Sequence, residues 1–466
     1  TLVYTKDTHF IDRDNEIAFM NKVIRSPIAE FVIVHGRRRI GKTEMLIRAV
    51  KEGMYFVGRQ ESPKDQLKRF SMKLSGVLND DMIGKYGLKS WDEALDHIAS
   101  HGNLTIVFDE FPYMVESDPS IPSTFQEWWD HRLSRTRVKL IFCGSSMSMM
   151  EQYLFNRKAA LYGRRTKQLK MEPMSFIQAE EFFPRLKFEE RIKIYGAAGG
   201  TPAYLTEFRN GFNEGIMNFF EKSELLYSDA MYILREEVRE PRYYHSILEA
   251  IAAGASTFPE IMNRTGLGRE VTSKYLAILR DLNIIVRKTP VTKKGSSRKG
   301  IYDIWDNYFR FWFKFVFPNE DLIETGRKDL LKKLLEREYP AYLGKVVEGI
   351  ITPLLIDRYP EYRIGRWWFK DKEIDIVGVD ETSSRMFACE VKWKRSPANY
   401  RDVENLMEKA AFIEKTKGFR KEFMIISRNG FTPAASRLID EYNITGWSME
   451  DLEVMFEAYS GKMKSK

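Results

Sequence analysis

The sequence predicts an α/β protein: a parallel sheet carrying a phosphate-binding loop, then a helical lid, a winged-helix domain and a second, C-terminal α/β domain. Three observations predict it. Residues 1–170 alternate short apolar runs with amphipathic stretches, the pattern of strand–helix–strand units in a parallel sheet. One run, Phe31-Val32-Ile33-Val34, leads straight into GRRRIGKT, residues 36–43. Another, Leu104–Phe108, ends in Asp109-Glu110.

The first motif is G-x-x-x-x-G-K-T, placed between a strand and the amphipathic EMLIRAV. A buried strand delivers such a loop, and a helix starting at Lys42-Thr43 turns its N-terminal amides toward a triphosphate. Gly36 and Gly41 allow backbone conformations that a Cβ would obstruct. The expected nucleotide-binding stretch is Gly36, Arg37, Arg38, Arg39, Ile40, Gly41, Lys42, Thr43 and Glu44. Lys42 suits the β- and γ-phosphates, and Thr43 suits Mg²⁺. The pattern implies ATP and Mg²⁺ as cofactors.

The acidic pair is expected on a neighbouring strand, at its C-terminal edge. There Asp109 holds the Mg²⁺ shell and Glu110 orients the attacking water, which points to hydrolysis as well as binding. The strand 138–143 ends in Gly144-Ser145-Ser146. Ser145 is a candidate γ-phosphate sensor; a serine capping the next helix is the alternative. Arg164, in Tyr162-Gly163-Arg164-Arg165, is a candidate arginine finger. Acting in trans it would require a homo-oligomer; an ordinary surface arginine pair is the alternative.

At 466 residues the chain exceeds one core, and about three domains are expected. No apolar run approaches the roughly 20 residues that cross a bilayer. No membrane association and a cytoplasmic location are expected. Cys143 and Cys389 each sit in an apolar strand-like run, which suits buried free thiols. The net charge of +8 is concentrated locally: residues 287–299 hold six Lys or Arg and no acid, whereas residues 341–466 hold 21 basic and 20 acidic side chains.

Five segments emerge from the pattern: an ATPase-type core over 1–171, a helical lid over 172–235, a winged helix over 236–305, a helical connector over 306–340 and the C-terminal domain over 341–466. Core strands are expected at 31–35, 54–57, 104–108, 138–143 and 167–171. In the winged helix, helices are expected at about Tyr243–Ala253, from Thr257 as N-cap, and at Arg269–Leu282. Strand Ile284–Arg287 and its return Gly300–Trp305 flank the basic tip. Arg269, Thr272, Ser273 and Lys274 are candidates for a DNA groove, with Lys293, Lys294, Arg298 and Lys299 on phosphates; DNA is the expected partner. Protein contact is the alternative use of such a module.

The C-terminal domain carries an acid followed, fifteen residues on, by E-x-K: Asp375, then Glu390 and Lys392. Period-two geometry puts Glu390 and Lys392 on one face of a strand. The arrangement suits a metal-dependent phosphodiesterase. Asp375 and Glu390 would hold Mg²⁺, Glu348 on the helix Lys345–Leu355 would complete the set, and Lys392 would be the catalytic lysine. Charges alternating on an exposed strand face are the plainer alternative.

These stretches together resemble the archaeal-type ATPase family, a branch of P-loop proteins near AAA+ and the STAND ATPases. The resemblance rests on FIDRDNEI (10–17), VHGRRRIGKT (34–43), IVFDEF (106–111), FCGSSMSMM (142–150), LYGRRT (161–166) and GGTPAYL (199–205), then on YDIWDNYFRFWFKFV (302–316). It implies that Arg13 lies near the nucleotide and that Gly199–Pro202 belongs to the lid. It also implies a restriction-endonuclease-like C-terminal domain, similar to PD-(D/E)xK nucleases, although here Ile374 stands where that motif has proline. Two functions are consistent with it: a DNA-associated, ATP-driven machine with a nuclease domain, or a STAND-like switch in which the later modules only bind DNA or protein.

Overall fold

The computed structural model describes residues 11–237, 241–293, 300–413 and 416–465. Lys294, Arg298 and Lys299, expected on DNA phosphates, lie outside the described residues. The chain forms two compact units. The first takes Thr1–Pro173, Thr201–Ala203 and Tyr232–Arg239; the second takes Met174–Gly200, Tyr204–Met231 and Glu240–Lys466.

The first unit is a five-stranded parallel sheet of β1 (Glu30–His35), β2 (Met54–Val57), β3 (Thr105–Asp109), β4 (Lys139–Gly144) and β5 (Lys167–Lys170). Every residue of β1 is buried, as a central strand covered on both faces requires. Its side chains alternate between two cores. Phe31 and Ile33 join Phe56, Phe108, Phe125 and Phe142 on one face; Val32 and Val34 join Met45, Leu46, Val107 and Ile141 on the other. All five expected strands are present, within one residue or so at their ends.

The strand order is β2-β3-β4-β1-β5. This corrects the expectation that the acidic strand neighbours the loop strand: β4 lies between them. Chain order carries no information about that insertion, which is set by long-range pairing of β4 with both β1 and β3. The loop, the acidic pair and Ser145 all emerge at the carboxyl end of the sheet, where open α/β sheets bind ligands.

In the second unit, helices Pro241–Ala252, Phe258–Thr265 and Arg269–Asp281 precede an antiparallel ribbon of β6 (Ile285–Lys288) and β7 (Ile301–Ile304). Thr257 caps its helix by accepting from Glu260 N–H in a capping box, and Gly266 ends it at φ 68°. Past β6 the chain docks on the C-terminal sheet: Val291 N–H donates to Arg366 O at 3.0 Å, and Val291 is buried against Trp367 and Val377. The base of the basic tip is therefore packed into protein.

That second sheet runs β12-β11-β10-β9-β8, with β8 (Arg363–Phe369), β9 (Lys372–Asp380) and β10 (Arg385–Lys392) antiparallel and β11 (Arg420–Ser427) and β12 (Thr445–Trp447) parallel to β10. One 31-residue helix, Lys328–Arg358, runs through the expected boundary at 340/341. Its buried face continues unbroken across Pro340, through Leu331, Leu335, Tyr339, Tyr342, Val346 and Ile350. Tyr339 and Tyr342 hydroxyls donate to the carbonyls of Lys193 and Gly196 at 2.5 and 2.7 Å, so the expected lid packs on both the connector and the start of the C-terminal domain. Among the described residues no helix is long and apolar enough to cross a membrane. Cys143 and Cys389 are buried free thiols, as expected.

Candidate functional site

The loop starts from a glycine that nothing else can replace. Gly36 sits at φ 148°, and a Cβ there would lie 2.3 Å from Met171 O. Arg39 and Gly41 also take positive φ, 67° and 91°. The helix Lys42–Ala49 begins at once, with Lys42 buried. Lys42 Nζ donates to the carbonyls of Gly36 at 2.7 Å and Arg37 at 3.0 Å. Burial holds its pKa below the usual lysine value, against the opposing pull of Cys143, Glu110 and Asp109.

Arg13, before the first helix, and the loop residues Arg37 and Arg38 face three different parts of the first unit. Arg13, in the left-handed region at φ 78°, donates to Ile40 O at 3.0 Å and Glu172 O at 2.9 Å, bracing the loop from behind. Arg37 is buried and donates to Thr201 Oγ1 at 2.9 Å. Arg38 donates to Tyr232 Oη at 3.0 Å and pairs with Glu236 at 2.5 Å. Ile40 is buried, and Glu44 pairs with Arg48 one turn on at 2.7 Å. Next to Glu236, the buried Glu237 accepts from Met147 and Ser148 N–H, each at 3.1 Å. Burial raises the pKa of Glu237.

Thr43 and Asp109 meet across the intervening strand. Thr43 Oγ1 donates to Asp109 Oδ2 at 2.8 Å, and Tyr55 Oη donates to the same oxygen. Asp109 Oδ1 accepts from Glu110 N–H at 3.0 Å. The Cys143 thiol also lies against Asp109, and burial raises its pKa. Glu110 is left-handed at φ 50°. Ser145 grips it twice: Oγ donates to Oε1 at 2.7 Å and N–H to Oε2 at 3.2 Å. The next helix is capped by Ser146, which accepts from Met149 N–H, so capping is not the task of Ser145.

Arg164 is not directed at the loop. Its guanidinium pairs with Asp130 at 3.1 Å and donates to the carbonyls of Ala160 and Tyr162. This corrects the arginine-finger expectation within one chain: a carboxylate on the adjoining helix Ile121–His131 claims the charge.

On the helix Arg269–Asp281, Arg269, Ser273 and Lys274 are exposed, and so is Lys293 beyond β6. Thr272 is fully buried and donates to Gly268 O at 3.0 Å, which corrects its assignment to a groove-facing set. It shares a face with Leu276 and Leu279.

In the C-terminal sheet Asp375 on β9 lies beside β10, and its Oδ2 accepts from Val391 N–H at 2.9 Å. Burial, with Glu348 and Glu390 close by, pushes its pKa up to about 8. Lys392 and Lys409 both pair with Glu390 Oε1, at 2.8 and 3.1 Å. Arg366 lies 2.9 Å from Glu373 and 3.8 Å from Glu348. Among the described residues no three His, Cys, Asp or Glu side chains are grouped to hold a metal ion. Glu348 and Glu390 of the expected Mg²⁺ set thus lie near Asp375 without forming such a group, and side-chain cations sit on two of the three. Sequence reasoning missed Tyr55, Glu237, Arg366 and Lys409. Each acts through strand order or helix packing.

A family model described as "ATPase domain predominantly from Archaea" matches residues 10–208. A second, described as "Archaea bacterial proteins of unknown function", matches residues 312–406. An uncharacterized protein of Methanocaldococcus jannaschii is 33% identical over 395 residues, 83% of this chain and 88% of that protein. Among solved structures, a Walker-type ATPase of Pyrococcus abyssi is 18% identical, with 65% of this chain and 96% of that chain covered at a TM-score of 0.49. The ORC2 protein of Aeropyrum pernix is 12% identical, with 70% and 98% covered at a TM-score of 0.42.

Proposed function

We propose, starting from the fact that the chain belongs to the archaeal ATPase family, that residues 36–43 bind ATP and that Glu110 directs its hydrolysis. The single observation that carries this reading is the 2.8 Å hydrogen bond from Thr43 to Asp109, made across β4. A hydroxyl and a carboxylate converging beside a glycine cradle are hard oxygen donors, the set that suits Mg²⁺. Bound there, Mg²⁺ would neutralise charge developing on the transferring phosphoryl group. Lys42, now held by loop carbonyls, carries the ammonium for the phosphates. Glu110 orients water, and Ser145 sets the direction of its carboxylate.

Arg37 and Arg38 give the loop a route to later parts of the chain. They hold Thr201 and the Tyr232–Glu236 turn of helix, so a change in the loop alters the anchorage of both. This supports a nucleotide-controlled change of arrangement, the feature shared by the DNA-associated machine and the STAND-like switch. Exposed Arg269, Ser273, Lys274 and Lys293, with the acid-free run 287–299, support DNA as a partner of a winged helix over 241–304.

A second reading assigns DNA cleavage to the C-terminal sheet, in the manner of PD-(D/E)xK nucleases. Its support is the position of Asp375 and of Glu390-x-Lys392 on the adjacent strands β9 and β10. The cations on Glu348 and Glu390 weigh toward binding rather than cutting.

One set of assays separates these readings. Glu110→Gln should retain ATP binding and lose turnover by about 100-fold or more; wild-type turnover in that protein removes Glu110 from the reaction. Incubation with Mg²⁺ or Mn²⁺ and linear, branched or single-stranded DNA should give binding without cleavage. Cleavage that disappears in Asp375→Ala or Lys392→Ala would establish the nuclease reading instead.

A further inference from the structure

Asp109 has one unusual neighbour. In the edge strand β2, Met54 and Phe56 enter the aromatic core, while Tyr55 packs on the opposite face with Met45, Leu46 and Val107. β2 pairs in parallel with β3, and Tyr55 stands beside Val107, two residues before Asp109. From there the Tyr55 hydroxyl reaches Asp109 Oδ2, the oxygen that also accepts from Thr43. Glu110 N–H occupies Oδ1.

A carboxylate offers about four acceptor positions. These hydroxyl and amide donors take three, two of them on Oδ2; the Cys143 thiol against the same carboxylate is only a weak donor. The torsion that turns a carboxylate about its own axis is broad and roughly two-fold, so one donor on one oxygen fixes it poorly. Two hydroxyls on Oδ2 and an amide on Oδ1 fix it well. Among the described residues, the position that no strong donor takes is then on Oδ1. Thr43 alone would leave Oδ2 with a single donor, whose oxygen is also a proposed metal ligand.

We propose that Tyr55 is a positioning residue for magnesium: its hydroxyl locks the Asp109 carboxylate in the orientation in which Asp109, with Thr43, would hold the metal. The proposal rests on the ATP-site reading above. It concerns how tightly Mg²⁺ associates with the nucleotide complex and leaves nucleotide contacts themselves untouched. An ordinary phenol keeps its proton at neutral pH and so remains a donor.

The test is a Mg²⁺ titration of fluorescent ADP binding to the full chain, with wild type, Tyr55→Phe, Asp109→Asn and the double variant. Tyr55→Phe should raise the Mg²⁺ concentration at half-effect about tenfold, in the range of one lost charge-assisted hydrogen bond, with metal-free ADP affinity unchanged. In the Asp109→Asn background the same substitution should do nothing further, because its effect runs through that carboxylate. An unchanged or lowered Mg²⁺ requirement in Tyr55→Phe overturns the proposal. So does an equal effect with and without Asp109, which would mark Tyr55 as packing only. Wild type that binds no ADP at all would sink the ATP-site reading itself, a result distinct from either. Should Tyr55→Phe fold poorly, the Asp109→Asn protein still decides: its Mg²⁺ requirement must rise at least as far.

Discussion

At the phosphate loop Asp109 is held by two hydroxyls and a backbone amide, whereas in the C-terminal sheet Glu390 is held by two ammonium groups. Both regions are made from Asp, Glu and Lys. Pairing distinguishes them. Hydroxyls and amides orient a carboxylate while leaving its charge for a metal; lysines and arginines cancel that charge. Lys42 illustrates the same division, since its ammonium rests on carbonyls rather than on Asp109 or Glu110. The presence of acids and a lysine at the right spacing therefore does not by itself distinguish a metal site from an ion-pair network.

The sharpest contrast is a glycine in each region. Gly36→Val should cost about 3 kcal/mol or more and abolish nucleotide binding, since its Cβ would meet Met171 O at 2.3 Å and its φ is 148°. Gly349→Ala, beside Glu348 in the long helix with open space around it, should instead stabilise by about 0.5–1 kcal/mol. Thermal melting reads both. A stabilised Gly36→Val protein would break the contrast.

Next in size is Ser145→Ala. Loss of the hydroxyl that steers Glu110 should lower kcat about tenfold with KM for ATP little changed. A change confined to KM would make Ser145 a nucleotide contact rather than a steering group.

The two regions also differ in their response to pH. Burial, with Lys170, Lys42 and Arg165 nearby, pushes His35 down to about 4 from an ordinary value of 6.5. The unfolded chain then binds more protons between those values, so this contribution to stability is complete above pH 6.5 and lost as pH falls toward 4. Asp375 behaves oppositely. Folded, it keeps its proton to about pH 8, against an ordinary value of 3.8, so stability declines as pH rises through that window. Melting temperatures followed from about pH 4 to 9 should show the alkaline decline flattened in Asp375→Asn. An unaltered profile would mean that Asp375 is ionised in the fold.

The smallest effect concerns the exposed helix. Lys274→Ala should weaken DNA binding by about 1 kcal/mol or less and reduce its salt slope by about one. Thr272→Ala should leave the salt slope alone and lower stability instead.

Much of this was legible in sequence where a local pattern carried it. Four of the five core strands are mainly apolar runs, the fifth being the polar edge strand Lys167–Lys170, and the Gly36 and Gly41 positions do take positive φ. Long-range pairing was not legible. Nothing local says that β4 enters between β1 and β3, or that β2 pairs with β3, the pairing that lets Tyr55 reach Asp109. Thr272 is a different kind of miss, because Leu276 and Leu279 at i+4 and i+7 already mark its face as buried. The boundary expected at 340/341 falls inside one helix, whose periodic buried face continues through Pro340.

Whether the glycine loop is an ATP site is decided by calorimetric titration of the intact protein with ATP, with and without Mg²⁺, and of Lys42→Ala beside it. One ATP per chain is expected, tightened by Mg²⁺, with affinity lower by roughly 100-fold in the variant, the worth of about two charge-assisted hydrogen bonds. Undiminished binding in Lys42→Ala, or no heat with the wild type, would contradict the assignment.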